Sequence, residues 1–525
     1  YAAMALARIG RPDAVPTIIE FIQENNDKDP FLSHAGIYAL QTLAQPTVLQ
    51  ETAKHPNAAV RRAALLAMRR LQNPAVAQFL SDREGRIVAE AARAINDAPV
   101  NEALPKLAEF LPDAPETIAE PHRSQILTRA INANYRLGRS DDLKRVVTFA
   151  GQTNAPEIAR VAALDALADW ESPAPRDRVM GLWRPLESRT SKVDRELVKP
   201  VLENALKDRS EKVVSSAVRG VEKLNIQQLS PALFGIVEQT NVSSKLRVQA
   251  LQGLASLKAP ELGKAVALAL SSNESTLRAE GVKLSAQLNP AEAAPLLEKL
   301  LASEKDVRIG QAVYATLGDL PNPAADSILA AHLDQLIAGN IKATLQLDLV
   351  EAARKRNAAA LQEKLNRYEQ TFSSSDPLGR FRLALEGGDH ERGRKIFNEN
   401  DAVGCLRCHA VKGKGGIVGP DLGTIGKTNS REFLMESLIF PNSKIAAGYE
   451  NVVVTVKNGS AYAGIVKSET ETELVLDSPE DGIVTVKKEE IVRRDRSLSA
   501  MPEGLENLLT KRDLRDLVEY LARLK

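Results

Sequence analysis

The stretch Asn57-Ala-Ala-Val-Arg61-Arg-Ala-Ala-Leu65 recurs with small changes along much of the chain. Close variants of it follow at residues 157–164, 244–251, 275–282 and 306–310. Three of its arginines, Arg247, Arg278 and Arg308, are 31 and 30 residues apart. Each copy opens an amphipathic helix, and a turn containing Pro or Asn and a second apolar helix follow. Paired helices at such a period predict a stacked α-solenoid.

These helix pairs resemble HEAT repeats, in which the Arg-x-x-Ala/Gly helix faces its neighbour. About eleven pairs fit into residues 1–370, which we predict to form one HEAT-like α-solenoid. The pairs between residues 100 and 210 are irregular, and we expect Trp170 and Trp183 to fill core there. The repeated arginines are expected to cap or bridge adjacent repeats. The solenoid itself is expected to be a platform for a protein partner or a neighbouring domain.

Composition sets wide bounds on the rest. A chain of 525 residues is too long for one compact core, so we expect two or more domains. The formal net charge of +1, with 26% charged residues, does not mark a nucleic-acid or membrane-surface binder. The chain has no run of 18 apolar residues, so we predict no transmembrane segment. The opening YAAMALARIG resembles the middle of a helical repeat, so we expect a fragment of a longer protein.

The pattern changes after residue 370. A polar, Ser-rich segment that ends in Pro377 predicts a linker or cap over residues 371–387. Residues 388–525 then form a separate predicted domain. It closes with an amphipathic helix, for which Thr510 is the candidate N-cap.

The two cysteines of the chain both lie in Cys405-Leu406-Arg407-Cys408-His409. Two thiols on one helical turn can each form a thioether with a haem vinyl group, and the adjacent imidazole can then bind the iron. A thioredoxin-like redox pair would need a βαβ context, and a zinc site would need two further soft ligands. The sequence nearby has neither. The motif therefore predicts one covalently attached haem c, held by Cys405, Cys408 and His409.

A haem iron that transfers electrons needs a second axial ligand. Met501 lies in a non-periodic loop that Pro502 stiffens, which suits a ligand held on iron. Met435 lies in an amphipathic helix, where a methionine usually belongs to the core. His390 is a more remote alternative. We therefore predict that His409 and Met501 are the metal ligands.

A proximal imidazole also needs an acceptor for its outer N–H, which fixes the ring and strengthens it as a ligand. Gly419-Pro420-Asp421-Leu422-Gly423 follows the histidine by about ten residues. The carbonyl of Pro420 is the candidate acceptor. The alternative is a Gly-Pro turn without a role at the haem.

Residues 449–494 have the pattern of short strands. The pair Asn458-Gly459 predicts a β-hairpin, and four or five strands fit before the Met501 loop. This insert resembles a small Sm-like or SH3-like barrel. Its basic residues interleave with acidic ones, so we expect it to cover the haem edge or dock a partner and not to bind nucleic acid.

Several motifs carry a resemblance to class I cytochrome c: Gly393-x3-Phe397, CxxCH at 405–409, GPDL at 419–422, Met501-Pro502 and Tyr520-Leu521. Residues 388–525 are similar, more closely, to the planctomycete/verrucomicrobial-type haem-binding CxxCH domain. The resemblance implies that the first and last helices cross near Gly393, Phe397 and Tyr520. The expected fold is mostly α: a HEAT-like α-solenoid followed by a class I cytochrome c-like helical domain with an inserted small β-barrel.

Members of that family often carry HEAT repeats before this domain and a β-propeller dehydrogenase-like domain before those. The resemblance thus implies an electron-transfer module in a periplasmic or otherwise extracytoplasmic dehydrogenase. A dehydrogenase domain would be its electron donor and another carrier its acceptor, and any oxidoreductase active site would lie upstream. Two alternatives stay open. One is a haem enzyme or gas sensor with an open sixth site, and the other is a HEAT scaffold for protein interaction.

Overall fold

The computed structural model describes residues 1–187, 189, 192–373, 375–446, 448–449, 451–478, 480–496 and 498–525, without the side chain of Arg496. The predicted segments 371–387 and 449–494 include Ser374, Glu450 and Pro479, which lie outside the described residues. The chain divides into two compact units, Tyr1–Leu277 and Arg278–Lys525. Most of the described residues are helical, as the sequence predicted.

The helices of the first unit are α1 (Ala2–Ile9), α2 (Val15–Asn25), α3 (Pro30–Leu43), α4 (Pro46–Thr52), α5 (Ala58–Arg70), α6 (Gly85–Asn96), α7 (Leu104–Glu109), α8 (His122–Leu137), α9 (Ser140–Ala150), α10 (Glu157–Ala168), α11 (Arg195–Ala205), α12 (Glu211–Lys223), α13 (Ser230–Glu238), α14 (Ser244–Leu257) and α15 (Leu262–Ser271). The point of division falls within α16 (Ser275–Leu288). The other helices of the second unit are α17 (Pro290–Ser303), α18 (Val307–Asp319), α19 (Ala324–Ile337), α20 (Ala343–Lys355), α21 (Ala359–Glu369), α22 (His390–Glu399), α23 (Cys405–Cys408), α24 (Ile425–Thr428), α25 (Arg431–Ile439) and α26 (Lys511–Ala522). Short 3-10 helices span Pro12–Ala14, Pro74–Ser81, Asn101–Ala103, Gln227–Leu229, Gly379–Ala384, Lys488–Glu490 and Leu505–Asn507.

The helices of the first unit form two rows. Helices α3, α5, α6, α8, α10, α12 and α14 contact one another in that order, and α2, α4, α7, α9, α11 and α13 each pack against the row. The local cause is visible in α5, where the Asn57 side chain accepts hydrogen bonds from the N–H groups of Ala59 and Val60 and caps the helix. Ala63 and Ala67 on its buried face let neighbouring helices approach closely. Stacked helix pairs are the architecture that the repeats predicted.

The repeated arginines join successive pairs within each unit. In the first unit the partners are Arg61 with Asp82 at 2.7 Å, Arg160 with Asp208 at 2.6 Å and Arg247 with Glu274 at 2.5 Å. Each acid lies in the loop before a following helix, so the arginine fastens one repeat to the next. In the second unit Arg278 pairs with Glu304, and Arg308 pairs at 3.3 Å with Asp389. Asp389 is the N-cap of α22, the first helix of the predicted haem domain.

The irregular part of the first unit lies between α10 and α11. Trp170 is buried there, its ring centroid 5.8 Å from that of Tyr135, and the guanidinium of Arg189 lies over both rings. The expectation for Trp183 was wrong, because its side chain is 67% exposed. Trp183 lies in a loop, where its backbone forms an isolated antiparallel bridge with Arg176, and its indole is exposed.

In the second unit, α17 to α21 also pack against one another as helix pairs. Helix α20 also contacts α26 through Asp348, whose carboxylate accepts a hydrogen bond from Arg515 at 2.6 Å. Both side chains are buried, and burial raises the pKa of Asp348 although Arg515 opposes that shift. The second unit therefore contains repeat helices together with residues 388–525. Compactness does not show where the repeats end, so the domain limits at 370 and 388 stay predictions.

The strands are β1 (Ala410–Val411), β2 (Lys414–Gly415), β3 (Asn451–Val456), β4 (Ala461–Glu469), β5 (Glu473–Ser478), β6 (Gly482–Lys487) and β7 (Ile491–Arg496). The last five form an antiparallel sheet in the order β6-β5-β4-β3-β7, with register shifts after Thr455 and Val466. Val454, Leu474, Leu476 and their neighbours form its own apolar core. The strands occur where the sequence predicted them, and closure into a barrel stays a prediction. In the described part of the chain, no helix is long and apolar enough to cross a membrane.

Candidate functional site around Cys405, Cys408 and His409

The cysteine motif is a single helical turn. Helix α23 holds Cys405 and Cys408, both as free thiols, and Gly404 before it adopts a left-handed conformation with φ 56°. His409 leaves the turn with extended backbone, and its N–H donates to the carbonyl of Cys405 at 2.9 Å. Burial raises the pKa of the Cys405 thiol, so this group stays protonated at neutral pH.

The imidazole of His409 is held by its outer nitrogen. Nδ1 lies 2.9 Å from the carbonyl oxygen of Pro420. A carbonyl oxygen can only accept, so Nδ1 carries a proton, and in the neutral imidazole Nε2 then keeps its lone pair. A Cβ on Gly419 would lie 2.5 Å from Cε1 of the ring, so glycine lets the chain pass directly beside the imidazole. Pro420 thus occupies the position that sequence reasoning gave it, within hydrogen-bond distance of the histidine.

The loop that carries Pro420 is fixed by backbone bonds and by Asp421. The N–H of Gly419 donates to the carbonyl of Cys408 at 2.8 Å. The Asp421 carboxylate accepts from the N–H groups of Gly423 and Gly413, both at 2.7 Å, and these bonds lower its pKa. This role of Asp421 was not predicted, although aspartate side chains in turns accept hydrogen bonds from the backbone two residues further on.

A cavity of about 320 Å³ lies beside the motif. Its walls are mostly apolar, and they include all five predicted site residues, Cys405, Cys408, His409, Pro420 and Met501. Large apolar side chains from several elements of the second unit also line the cavity, namely Phe397, Val403, Val418, Leu422, Ile425, Phe433, Leu434, Leu438, Ile445, Leu505, Leu517 and Leu521. The structure thus brings together residues that are almost a hundred positions apart in the sequence.

Met501 reaches the cavity on a loop tied to the rest of the unit. Its N–H donates to Oγ of Ser499 at 3.1 Å, and the N–H of Ser499 donates to Oδ1 of Asn442 at 2.7 Å. Met435 is fully buried inside α25 and is not among the described cavity-lining residues. His390 is also absent from those walls, and its ring lies 5.4 Å from that of Tyr520.

Helices α22 and α26 form another part of the cavity wall. A Cβ on Gly393 would overlap the carbonyl oxygen of Asp516, so the two helices touch at this glycine. The rings of Phe397 and Tyr520 lie 5.6 Å apart at the same contact. Asp516 accepts a hydrogen bond at 2.7 Å from the N–H of Asp389, the N-cap of α22, and burial raises the pKa of Asp516. The crossing residues are Gly393, Phe397 and Tyr520, the three that the resemblance implied.

Two further cavity residues, Lys444 and Tyr449, were not predicted. They lie between α25 and β3, in a segment whose sequence shows neither a helix nor a strand period. Their positions in the sequence therefore show no relation to the cysteine motif. In the described residues, no group of three or more His, Cys, Asp or Glu side chains is arranged to hold a metal ion.

Comparison with known proteins adds little about this site. No family model and no curated protein sequence matches the chain. Among solved structures, the karyopherin Kap121p bound to Pho4p is similar over 82% of this chain and 49% of its own, with 14% identity and a TM-score of 0.44. Kap121p bound to Nup53p is similar over 75% of this chain and 48% of its own, with 14% identity and a TM-score of 0.44. An engineered protein matches over 70% of this chain and 98% of its own, with 16% identity and a TM-score of 0.36. The chain spans about half the length of these karyopherins.

Proposed function

We propose that the chain is a c-type cytochrome module for electron transfer, carried on a helical-repeat platform. The observation that supports this most is the single apolar cavity wall shared by the two thiols, the imidazole and the thioether. A haem c bound there would supply a one-electron iron couple. The cofactor, the ligand roles of His409 and Met501, and the redox partners are all part of the proposal.

The residues present fit such a group. The thiols of Cys405 and Cys408 lie on one turn, as attachment to two vinyl groups requires. His409 offers Nε2 with its lone pair free, because Pro420 fixes the proton on Nδ1. Met501 would add a soft neutral ligand, which favours the ferrous state and raises the potential. The apolar walls would exclude water from the iron and so favour electron transfer over reaction with solvent species.

The attachment test uses the full chain produced together with a cytochrome c maturation system. We expect a mass increase of one haem and a haem-stained band on a denaturing gel. The Cys405→Ser/Cys408→Ser variant should lose both signals, since thioether formation needs the two thiols. A wild-type chain that stays colourless after denaturation would contradict the proposal.

The ligand test compares two methionines. Met501→Leu should remove the near-infrared band of a methionine–ferric bond, while Met435→Leu, in the core of α25, should keep it. If both variants keep the band, Met501 is not the ligand. Rapid binding of CO to the reduced wild-type protein would favour the haem enzyme or gas sensor with an open sixth site.

A second candidate function is a scaffold for protein interaction, and the stacked helix pairs of both units favour it. The proposed attachment would place the protein outside the cytoplasm, since bacteria attach haem c on the outer face of the cytoplasmic membrane. Complementation of a deletion strain by the Cys405→Ser/Cys408→Ser chain separates the two functions. A scaffold keeps its activity without the thiols, whereas an electron carrier loses it.

A further inference from the structure

The charge distribution around the cavity is uneven. Of the described residues that line it, Lys444 alone carries a side chain of the Lys, Arg, Asp or Glu type. The other polar side chains there are the two thiols, His409 and the hydroxyls of Ser437, Tyr449 and Ser499. An anionic part of any occupant therefore has one cationic partner in this wall.

Lys444 stands where the cavity meets solvent. Its side chain is 61% exposed, and Nζ lies 6.0 Å from the centre of the Phe433 ring, which also lines the cavity. Nζ pairs at 3.0 Å with Oε2 of Glu436, a residue that is not among the lining residues. The ammonium thus has a carboxylate partner that does not line the cavity, whereas Lys444 itself does.

Haem carries two propionate carboxylates at one edge of an otherwise apolar ring. A carboxylate in an apolar wall is unfavourable unless it reaches water or a cationic partner. We propose that Lys444 binds a haem propionate, exchanging Glu436 for it, and that the hydroxyl of Tyr449, which also lines the cavity, donates a hydrogen bond to the same group. This inference rests on the proposed haem attachment and assigns the side chain that orients the ring within the cavity.

Two measurable consequences follow from a cation on the propionate. The positive charge favours the ferrous over the ferric iron, so its loss lowers the reduction potential. It also stabilises the ionised propionate, so its loss moves the protonation of that carboxyl to higher pH. Protonation changes the charge near the iron, and the potential of the variant should therefore depend on pH in a range where that of the wild type is flat.

The test compares Lys444→Gln with Lys427→Gln in the mature full-length protein. Lys427 is exposed on α24 and is not among the described lining residues, so its loss removes the same charge from the same unit. For Lys444→Gln we expect the ferrous-to-ferric ratio at a fixed potential to fall about threefold. This corresponds to a decrease of about 30 mV in the reduction potential, at 59 mV per tenfold change. We call the pH at which the potential changes, as the propionate is protonated, the pH step. This pH step should move upward in Lys444→Gln, and Lys444→Arg should restore both properties. Lys427→Gln should leave the pH step in place.

Three results would overturn the inference while leaving the haem proposal intact. One is an equal effect of Lys444→Gln and Lys427→Gln on both the potential and its pH step. Another is a wild-type pH step at the ordinary pKa of a carboxyl group, a measurement that needs no variant. The third is a failure of Lys444→Arg to restore the step. By contrast, a wild-type chain that attaches no haem refutes the proposed function itself, and the two failures are thus distinguishable.

Discussion

The stacked helix pairs and the cavity region differ in how their polar groups are paired. In the stack, each buried arginine of the repeat meets an acid from a following loop, as Arg61 meets Asp82. In the cavity region, the thiols and the free Nε2 of His409 face an apolar wall. A repeat interface is satisfied by partners that the next repeat supplies. A wall with reactive groups and few polar partners is typical of a ligand site.

The two regions meet within the second unit, where charge pairing of the repeat kind extends to α22 and α26. Arg308 pairs with the N-cap of α22, and Arg515 of α26 pairs with Asp348 of α20. The cavity wall that α26 supplies, through Leu517 and Leu521, is therefore anchored on a repeat helix. Substitutions at these contacts measure how far the cavity depends on the stack.

Asp348→Ala should give the largest effect. It leaves the buried Arg515 charge without its main partner, and we expect a loss of about 3–5 kcal/mol in the free energy of unfolding of the second unit. Denaturant unfolding of the full chain measures it. The exposed pair of Lys355 and Asp319 offers the matched control, and Lys355→Ala should cost no more than about 1 kcal/mol.

A double substitution separates loss of the charge pair from loss of volume. Asp348→Leu with Arg515→Met should recover most of the stability, because replacing both partners of a buried pair by apolar groups is often neutral. If Asp348→Ala costs as little as Lys355→Ala, α26 is not anchored through this pair.

Gly393→Ala tests the crossing of α22 and α26. The new methyl group would overlap the backbone of Asp516, and overpacking against backbone costs about 1–3 kcal/mol. Gly235→Ala is the matched control, since Gly235 lies in α13 with open space around it. There the change should stabilise the helix by about 0.5–1 kcal/mol. Thermal unfolding should thus shift in opposite directions, and equal shifts would contradict the close crossing.

The local sequence predicted features that depend on neighbouring residues. Helices α5 and α14 begin at repeat motifs, as predicted, and the acceptor for His409 lies in a turn about ten residues away. Partners such as Asp348 for Arg515, 167 residues apart, carry no local signal. Lys444 was missed for the same reason, since only the folded chain brings it to the cysteine motif. Trp183 was mispredicted because aromatic size alone does not distinguish core from a loop.

Gly419→Ala probes the cavity region without requiring haem. The added methyl group would press on the His409 ring, which must move and lengthen its hydrogen bond to Pro420. We expect a small loss of stability, about 1 kcal/mol, and a shift of the Nδ1 resonance in nitrogen NMR spectra. Gly263→Ala, at an open position in α15, should leave that resonance unchanged. An unshifted Nδ1 resonance in Gly419→Ala would show that the ring is not confined.

The sheet should give the smallest effect, because its charges are exposed. Glu469 at the end of β4 accepts from Arg494 of β7 at 2.9 Å and from Lys488 at 2.8 Å, and these bonds lower its pKa to about 2. A carboxyl whose pKa is lower in the folded state stabilises the fold above its unfolded pKa. That stability is lost as the pH falls from about 4.5 through about 2. Since the pair is solvent-screened, we expect no more than about 1 kcal/mol.

The measurement is the pH dependence of denaturant unfolding for Glu469→Gln and for Glu471→Gln, an exposed neighbour in the same hairpin. Glu469→Gln should lower stability at pH 7 and flatten its decline below about pH 4.5, because the variant no longer binds the proton that weakens the pair. Glu471→Gln should keep the wild-type slope. Identical slopes for both variants would mean that the ion pairs of Glu469 add nothing measurable to the backbone hydrogen bonds of the sheet. The sheet would then differ from the repeats that Arg61, Arg160 and Arg247 fasten through paired charges.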